Sequence, residues 1–434
     1  MSDEAPTDLA QWWQSLNDPQ LTELINEALR ANLDLREARS RLRQARAKRT
    51  VADAGRYPSV TASGSASRSQ SSAEAGGGTT SNYFSAGFDA SWEIDVFGGV
   101  RRSVEATEAD VEESVASLEN TQVSLASEVA LNYVEVRALQ TRLGIARANL
   151  ASQSETLQLT DWRAQAGLVS RQDVEQARSN REQTRAQIPS LETSLAESEH
   201  GLDILLGRAP GALHARLAAT GELPAVPDQI AVGIPADTLR QRPDVRAAER
   251  KLAAETARVG VAEAARYPSF TLSGSIGLEA LTLGALGNSG AATSSLLAGI
   301  TSPVFNAGRL RAQVEIQDAV REQAQVSYEQ TVLTALQEVE NALVALARNR
   351  ERVEALAIAA ESARNAAELA RQRYSAGLID FQSVLDTERS VLSAEDSLAS
   401  SRADGVLALI RLYKALGGGW SPQADIRPVS KDAP

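Results

Sequence analysis

The side chains that could do chemistry are few, and their spacing narrows what they could do. The chain has no cysteine, which removes thiolate metal sites, cysteine nucleophiles and disulfides. Its only histidines, His200 and His214, lack the spacing of a metal site or a catalytic triad. No glycine-rich phosphate loop or nucleophile constellation accompanies them, so the expectation is no enzyme, no cofactor and no metal. Carboxylates remain. Asp173 and Asp386 each sit just past a glycine-containing turn, at Gly167 and Gly377, and read as equivalent positions of the two turns. Gathered into a ring by copies of the chain, such groups would repel one another, hold protons more tightly and attract cations. Asp173 has a second reading, because Ser170-Arg171-Gln172-Asp173 has the spacing of a helix capping box. Asp386 lies deeper in its helix, where a cap is less expected.

The elements that must position these groups occur twice. Arg56-Tyr57-Pro58-Ser59 returns as Arg266-Tyr267-Pro268-Ser269, and 266 − 56 = 210. Ser63-Gly64-Ser65, Ala166-Gly167-Leu168 and Leu206-Gly207 return at the same offset. A unit this long exceeds solenoid repeats, whose periods are about 20–50 residues. It is one structural half used twice.

The first half, 1–210, opens with a polar lead-in carrying Trp12-Trp13 and then a helix over 21–54. That helix must end before Pro58, since proline disfavours the helical conformation in the residue ahead of it. A β-hairpin follows over 57–96. Phe84, Ala86, Phe88, Ala90, Trp92 and Ile94 alternate with Ser85, Gly87, Asp89, Ser91, Glu93 and Asp95, the period of a strand with one apolar and one wet face. The period then becomes helical, and a long hairpin spans 103–206. Its apolar spacing (Val111, Val115, Leu118, Leu125, Val129, Val136) is that of a heptad seam, hence coiled-coil packing. Pro189 should interrupt its return helix and kink it. A proline-rich linker over 211–236 leads to the second half, 237–417. There a helix over 237–265, a hairpin over 267–304 and a coiled-coil hairpin over 309–416 repeat the order, before a loose tail over 418–434.

Aromatics make up 4% of the chain and the net charge is −12. An acidic chain without basic clusters is a poor partner for nucleic acid. No apolar run reaches about 18 residues, so no transmembrane helix is expected; barrel strands need only alternate. The opening Met1-Ser2-Asp3-Glu4 reads as a trimmed or a cytosolic start.

Four strands with one apolar face cannot close a membrane barrel, which needs about eight. An open sheet edge in lipid leaves backbone groups unsatisfied at several kcal/mol each. The pattern therefore leaves two readings: an oligomeric channel, or a soluble coiled-coil scaffold.

Together these motifs resemble the outer-membrane factors of tripartite efflux pumps, TolC-like channels and in particular their OprM/NodT-type branch. The resemblance rests on Trp12-Trp13 with Asp18-Pro19, on Arg242-Pro243-Asp244-Val245-Arg246-Ala247-Ala248-Glu249, on the Tyr-Pro-Ser junctions, on the Ala-Gly-Leu turns and on Val384-Leu385-Asp386. It implies a mostly α fold with a membrane β-barrel portion: a homotrimer whose twelve-stranded barrel sits in the outer membrane of a Gram-negative bacterium, continued by an α-helical coiled-coil barrel through the periplasm. It implies a passive duct for drugs or metal ions, docked to a periplasmic adaptor and an inner-membrane transporter of the resistance-nodulation-division class. A type I protein secretion duct shares the fold. Asp173, Asp386 and Tyr374 would form the periplasmic gate. The turns Gly167-Leu168-Val169 and Gly377-Leu378-Ile379 would contact the adaptor, and Phe84, Phe88, Trp92, Phe270 and Leu272 would face lipid. Branch members usually start, as lipoproteins, with a lipidated cysteine; this sequence holds no cysteine, so either that residue has been removed or this member is not lipidated. The family's basic residue at Ile379 is also absent, so any lock there would use Arg371, Arg373 or Arg178.

Overall fold

The computed structural model describes residues 9–224 and 241–420. The chain divides into two compact units, Met1–Arg39 with Ser117–Val245 and Val332–Pro434, and Ser40–Ala116 with Arg246–Thr331.

The second of these units holds the sheet. Strands β1 (Ser59–Gln70), β2 (Thr80–Ile94), β3 (Ser269–Ala280) and β4 (Ala292–Thr301) pair in chain order, each antiparallel to the next. The register carries the alternation across all four. Ala62, Phe88, Ile276 and Ser294 form one row, and Thr61, Asp89, Ser275 and Ser295 form the neighbouring row on the opposite face. Phe84, Phe88, Trp92, Phe270 and Leu272 share the apolar face, with Trp92 opposite Leu272 and Phe270 opposite Ile94. The other face is laced by hydroxyls: Ser65 to Ser85 at 2.8 Å, Ser275 to Ser295 at 2.7 Å, and Ser63 donating to Asp89 at 3.0 Å. Asp95 is not on that wet face. β2 stops at Ile94, and the Asp95 carboxylate accepts from the backbone of Val100 (3.1 Å) and Arg101 (2.8 Å), capping the next helix.

The helix expected over 21–54 is two helices, α1 (Pro19–Ala31) and α2 (Leu33–Ala54). Asn32 breaks it, because its side chain accepts from Leu35 N at 3.0 Å while its amide donates to the Leu205 carbonyl at 2.9 Å. Then follow α3 (Gly99–Gln165), α4 (Arg171–Leu205), α5 (Pro243–Ala264), α6 (Arg309–Ser375) and α7 (Phe381–Ala415). α4 continues through Pro189 rather than stopping there. The start of the helix expected over 237–265 lies partly outside the described residues, as do most of the 211–236 linker's second half and the tail beyond 420. The linker's first part is packed: Asp203 accepts from Gly211 and Leu213, and Leu213 and Leu217 are buried. The lead-in is not merely polar either. Trp12 and Trp13 are buried, and Trp12 stacks on Tyr413 at 5.3 Å.

The duplication reaches individual hydrogen bonds. Arg242, 210 residues after Asn32, donates to the carbonyl of Ala415, 210 residues after Leu205. Its guanidinium also binds Asp244 and Glu338, each at 2.7 Å.

Candidate functional site: the turns of the helical hairpins

Both hairpins turn in the same way. Gly167 (φ 73°) and Gly377 (φ 74°) occupy the left-handed region that favours glycine. Leu168 N donates to Arg163 O, and Leu378 N to Arg373 O, both at 2.9 Å. These six-to-one bonds close each helix in a Schellman turn. Leu168 and Leu378 stand exposed at 68% and 73%. The next residues point inward: Val169 and Ile379 pack on a small core of Leu157, Val174, Ala370, Tyr374, Phe381 and Leu385. The six turn residues thus separate into two exposed leucines, two inward aliphatics and two glycines that permit the bend.

The helices leaving the turns are capped by the same two residue types in reversed order. Ser170 Oγ accepts from Asp173 N at 3.2 Å, and Asp173 accepts from Ser170 N at 3.0 Å, a complete capping box. In the second repeat Asp380 stands where Ser170 stood and Ser383 where Asp173 stood. Asp380 accepts from the backbone of Ser383 at 3.0 Å and from its hydroxyl at 2.5 Å. The Ser383 hydroxyl bond, with the backbone bond behind it, holds the Asp380 carboxyl below its usual range. Asp386 is therefore not the repeat counterpart of Asp173. It lies one turn further along, exposed, accepting from Gln382 at 2.9 Å.

Tyr374 is buried, with its ring against Phe381 at 5.6 Å and the Arg163 guanidinium 4.5 Å from its centre. Arg163 also donates to the Tyr374 carbonyl. The Tyr374 hydroxyl has no hydrogen-bond partner among the described residues. Arg163 was not legible as a site residue; only its place in the last turn of α3 marked it. Of the arginines considered for a lock, Arg178 pairs within its own helix with Glu175 at 2.9 Å. Arg371 reaches Glu388 at 3.4 Å, across from α6 to α7. Arg389 donates to Asn180 at 3.0 Å, joining α7 to α4.

Glu388 is 2% exposed. Burial raises its carboxyl's pKa, against the opposing pull of the Thr156 hydroxyl and Arg371.

A sheet apolar on one face only, together with long antiparallel helical hairpins, defines the class of barrel-and-helix channels. The chain belongs to the outer membrane efflux protein family, which it matches over residues 24–208 and 234–418. It is 36% identical to Nodulation protein T of Rhizobium leguminosarum bv. trifolii over 95% of this chain and 88% of that one. It is 34% identical to the pyoverdine export outer membrane protein OpmQ of Pseudomonas putida, covering 96% of this chain and 90% of the relative. Among solved structures, the outer-membrane channel OprN superposes with a TM-score of 0.91 at 38% identity, covering 95% of this chain and 93% of that one. The CmeC outer membrane channel of Campylobacter jejuni superposes at 0.90 with 25% identity, covering 98% and 91%. The fold is TolC-like, and the protein is an outer-membrane efflux channel of a Gram-negative bacterium, the exit duct of a tripartite pump. Such a pump supplies an adaptor and an inner-membrane transporter as partners.

Proposed function

We propose that three copies of this chain close one duct, and that the hairpin turns form its periplasmic gate. The observation that carries this reading is the sheet's incompleteness. Among the described residues β1 and β4 each have a strand neighbour on one side only, and the apolar face leaves Phe88, Ile276, Leu296 and Ile300 exposed at 58–80%. Edges of this kind are not tolerated in lipid. Three sets of four strands give a twelve-stranded barrel with its serine-rich face toward water. Leu333, Val344, Ile358 and Leu369 add support. They fall within one narrow stripe of α6 at about 100° per residue, and each is at least 56% exposed.

In this reading Phe84, Phe88, Trp92, Phe270 and Leu272 face lipid. Asp386 lines the entrance as a ring of carboxylates, and Tyr374 and Arg163 hold the closed turn through packing. Asp173 serves the turn chiefly as a cap. Leu168 and Leu378 are the apolar contacts for the adaptor, and the transporter is of the resistance-nodulation-division class. The duct performs no chemical step. Relatives named for pyoverdine export and for solvent and toluene efflux favour a small-molecule cargo over a protein.

Native mass measurement in detergent and single-channel recording in a planar bilayer test the reading together. A trimer that conducts, with cation selectivity reduced by Asp386→Asn, is the expected result. A detergent-independent monomer without conductance overturns it.

A further inference from the structure

The parts of α3, α4 and α7 that lie in the first compact unit enclose a cleft of about 510 Å³. Sites for small molecules fall in the range of about 300–1,000 Å³. Amides and hydroxyls ring its mouth: Gln183, Gln187 and Ser190 on α4 and Ser393 on α7 all line it and are exposed. The apolar side chains of its lining are Ala146, Leu191 and Leu392, a narrow strip.

The floor is polar too, and it is not satisfied. Gln153, Asn180 and Thr184 line it and are buried, Gln153 at 3% and Asn180 at 4% exposure. Among the described residues neither amide atom of Gln153 has a hydrogen-bond partner, and the Asn180 amide nitrogen has none either. Buried amides are nearly always bonded, and three such atoms left unbonded in one place oppose folding. The terminal torsion of a glutamine is soft. The Gln153 amide can therefore turn toward a molecule in the cleft and offer it both donors and an acceptor.

The charges of the cleft do not cancel. Arg142 and Asp396 neutralise one another through bonds of 2.7 and 3.1 Å. Arg389 is left over. Its Nε donates to Asn180 Oδ1 at 3.0 Å, and among the described residues no carboxylate pairs with it. Glu388, next to it in sequence, turns to Thr156 on α3 and does not line the cleft. In a chain of net charge −12, this lining carries one spare positive charge. A guanidinium beside a free amide nitrogen suits one carboxylate, and the surrounding amides and hydroxyls suit hydroxyl groups.

The cleft opens on a defined face. Asp386, Arg389, Ser393 and Asp396 follow one another at 3-4-3 spacing and share one side of α7. We propose that the cleft binds a small polyhydroxy monocarboxylate of the sugar-acid kind, its carboxylate on Arg389 and the Asn180 amide nitrogen and its hydroxyls on Gln153 and the rim. The site is built within one chain and does not need the trimer. Only its opening onto the duct rests on the reading above, which turns Asp386 to the lumen.

Gluconate is the probe. Sorbitol, the same carbon chain with an alcohol in place of the carboxylate, is its control. Saturation-transfer NMR on the full chain in detergent micelles reads both. Gluconate should bind saturably with a Kd of about 1 mM, the scale of so small a ligand, and sorbitol about tenfold more weakly. Arg389→Gln should bring gluconate down to the level of sorbitol and leave sorbitol as it was. Gln153→Leu should weaken both severalfold while raising the thermal midpoint of the ligand-free protein, because it removes two unbonded buried atoms. Arg178→Gln, at a guanidinium paired with Glu175 outside the cleft, should change neither affinity. No saturable transfer from gluconate up to about 10 mM, or an affinity untouched by both Arg389→Gln and Gln153→Leu, overturns the site. Equal binding of sorbitol and gluconate overturns it as well, since the carboxylate would then play no part. Native mass of the same samples keeps the two readings apart: a monomer that binds gluconate sinks the trimer alone, and a trimer that does not bind it sinks the cleft alone.

Discussion

The hydroxyl of Thr156 on α3 donates a 2.6 Å hydrogen bond to Glu388 on α7, joining two helices through a carboxylate that is almost wholly buried. The second carboxylate oxygen has no partner among the described residues, and Arg371 stands off at 3.4 Å. A buried, half-satisfied charge costs more than its contacts return. Because the folded-state pKa is raised, the folded protein keeps this proton at pH values where the unfolded chain has lost it. The contribution to stability is therefore fully present below the ordinary glutamate pKa and is lost as pH rises through the folded value. Glu388→Gln should remove this dependence and stabilise the hairpin ends by about 1 kcal/mol at pH 8, with little change at pH 4. Thermal unfolding by circular dichroism at the two pH values checks it, and a uniform destabilisation would contradict it.

Tyr374 separates packing from hydrogen bonding at the turn. Its ring is enclosed by Phe381 and Arg163, while its hydroxyl is buried without a partner among the described residues. Tyr374→Phe should change stability by no more than about 1 kcal/mol and leave closed-state conductance as it is. Tyr374→Ala should cost about 3–5 kcal/mol locally and raise conductance by loosening the turn. If Tyr374→Phe alone opens the channel, the hydroxyl acts across copies and the packing account is wrong.

What the sequence made legible follows its periodicities. The alternation at Phe84–Ile94 is long enough to set both strand and face, and the register carries the same parity across β3 and β4. The 4-3 spacing and the unbroken stretch before Gly167 similarly give α3. What escaped was set by single side chains rather than by a period. Asn32 breaks a helix because it can reach Leu205, and nothing near it in sequence says so. Asp95 extends the alternation of β2 by one residue but leaves the strand to cap α3. Pro189 signals an interruption locally, yet α4 runs through it. At the turns, Asp173 and Asp386 look like a matched pair, yet the offset of 210 already puts Ser383 at the matching place (173 + 210 = 383), and the reversed caps agree.

The two aspartates should accordingly respond differently. Ser170→Ala or Asp173→Ala removes half of a capping box and should cost about 0.5–2 kcal/mol in the stability of the first hairpin. Asp386 is exposed and accepts one bond from Gln382, so Asp386→Asn should cost less than about 0.5 kcal/mol. Its effect should fall on permeation instead, as a reversal potential shifted toward zero in a salt gradient across a planar bilayer. Equal loss of selectivity from Asp173→Asn, with no loss of stability, would reverse the assignment.

Gly87 and Gly277 lie opposite each other on β2 and β3, on the hydroxyl-rich face. A Cβ at Gly87 would lie 2.8 Å from the Ile276 carbonyl oxygen and 2.9 Å from the Gly277 Cα, and one at Gly277 would lie 2.9 Å from the Ala86 oxygen. These obstacles are backbone, so no rotamer change relieves them and the strands themselves must separate. Gly64 provides the contrast on the apolar face: its added Cβ would meet only the Ser85 oxygen, at 3.9 Å. Gly87→Ala and Gly277→Ala should each cost about 1–3 kcal/mol, in the range of overpacked interiors. Gly64→Ala should be close to neutral. Refolding into micelles, read as the fraction of trimer that survives gel electrophoresis without heating, should fall for the first two and hold for the third. An equal loss at all three positions would mean that glycine serves strand flexibility in general, and that the close approach of β2 to β3 at this pair has no special weight.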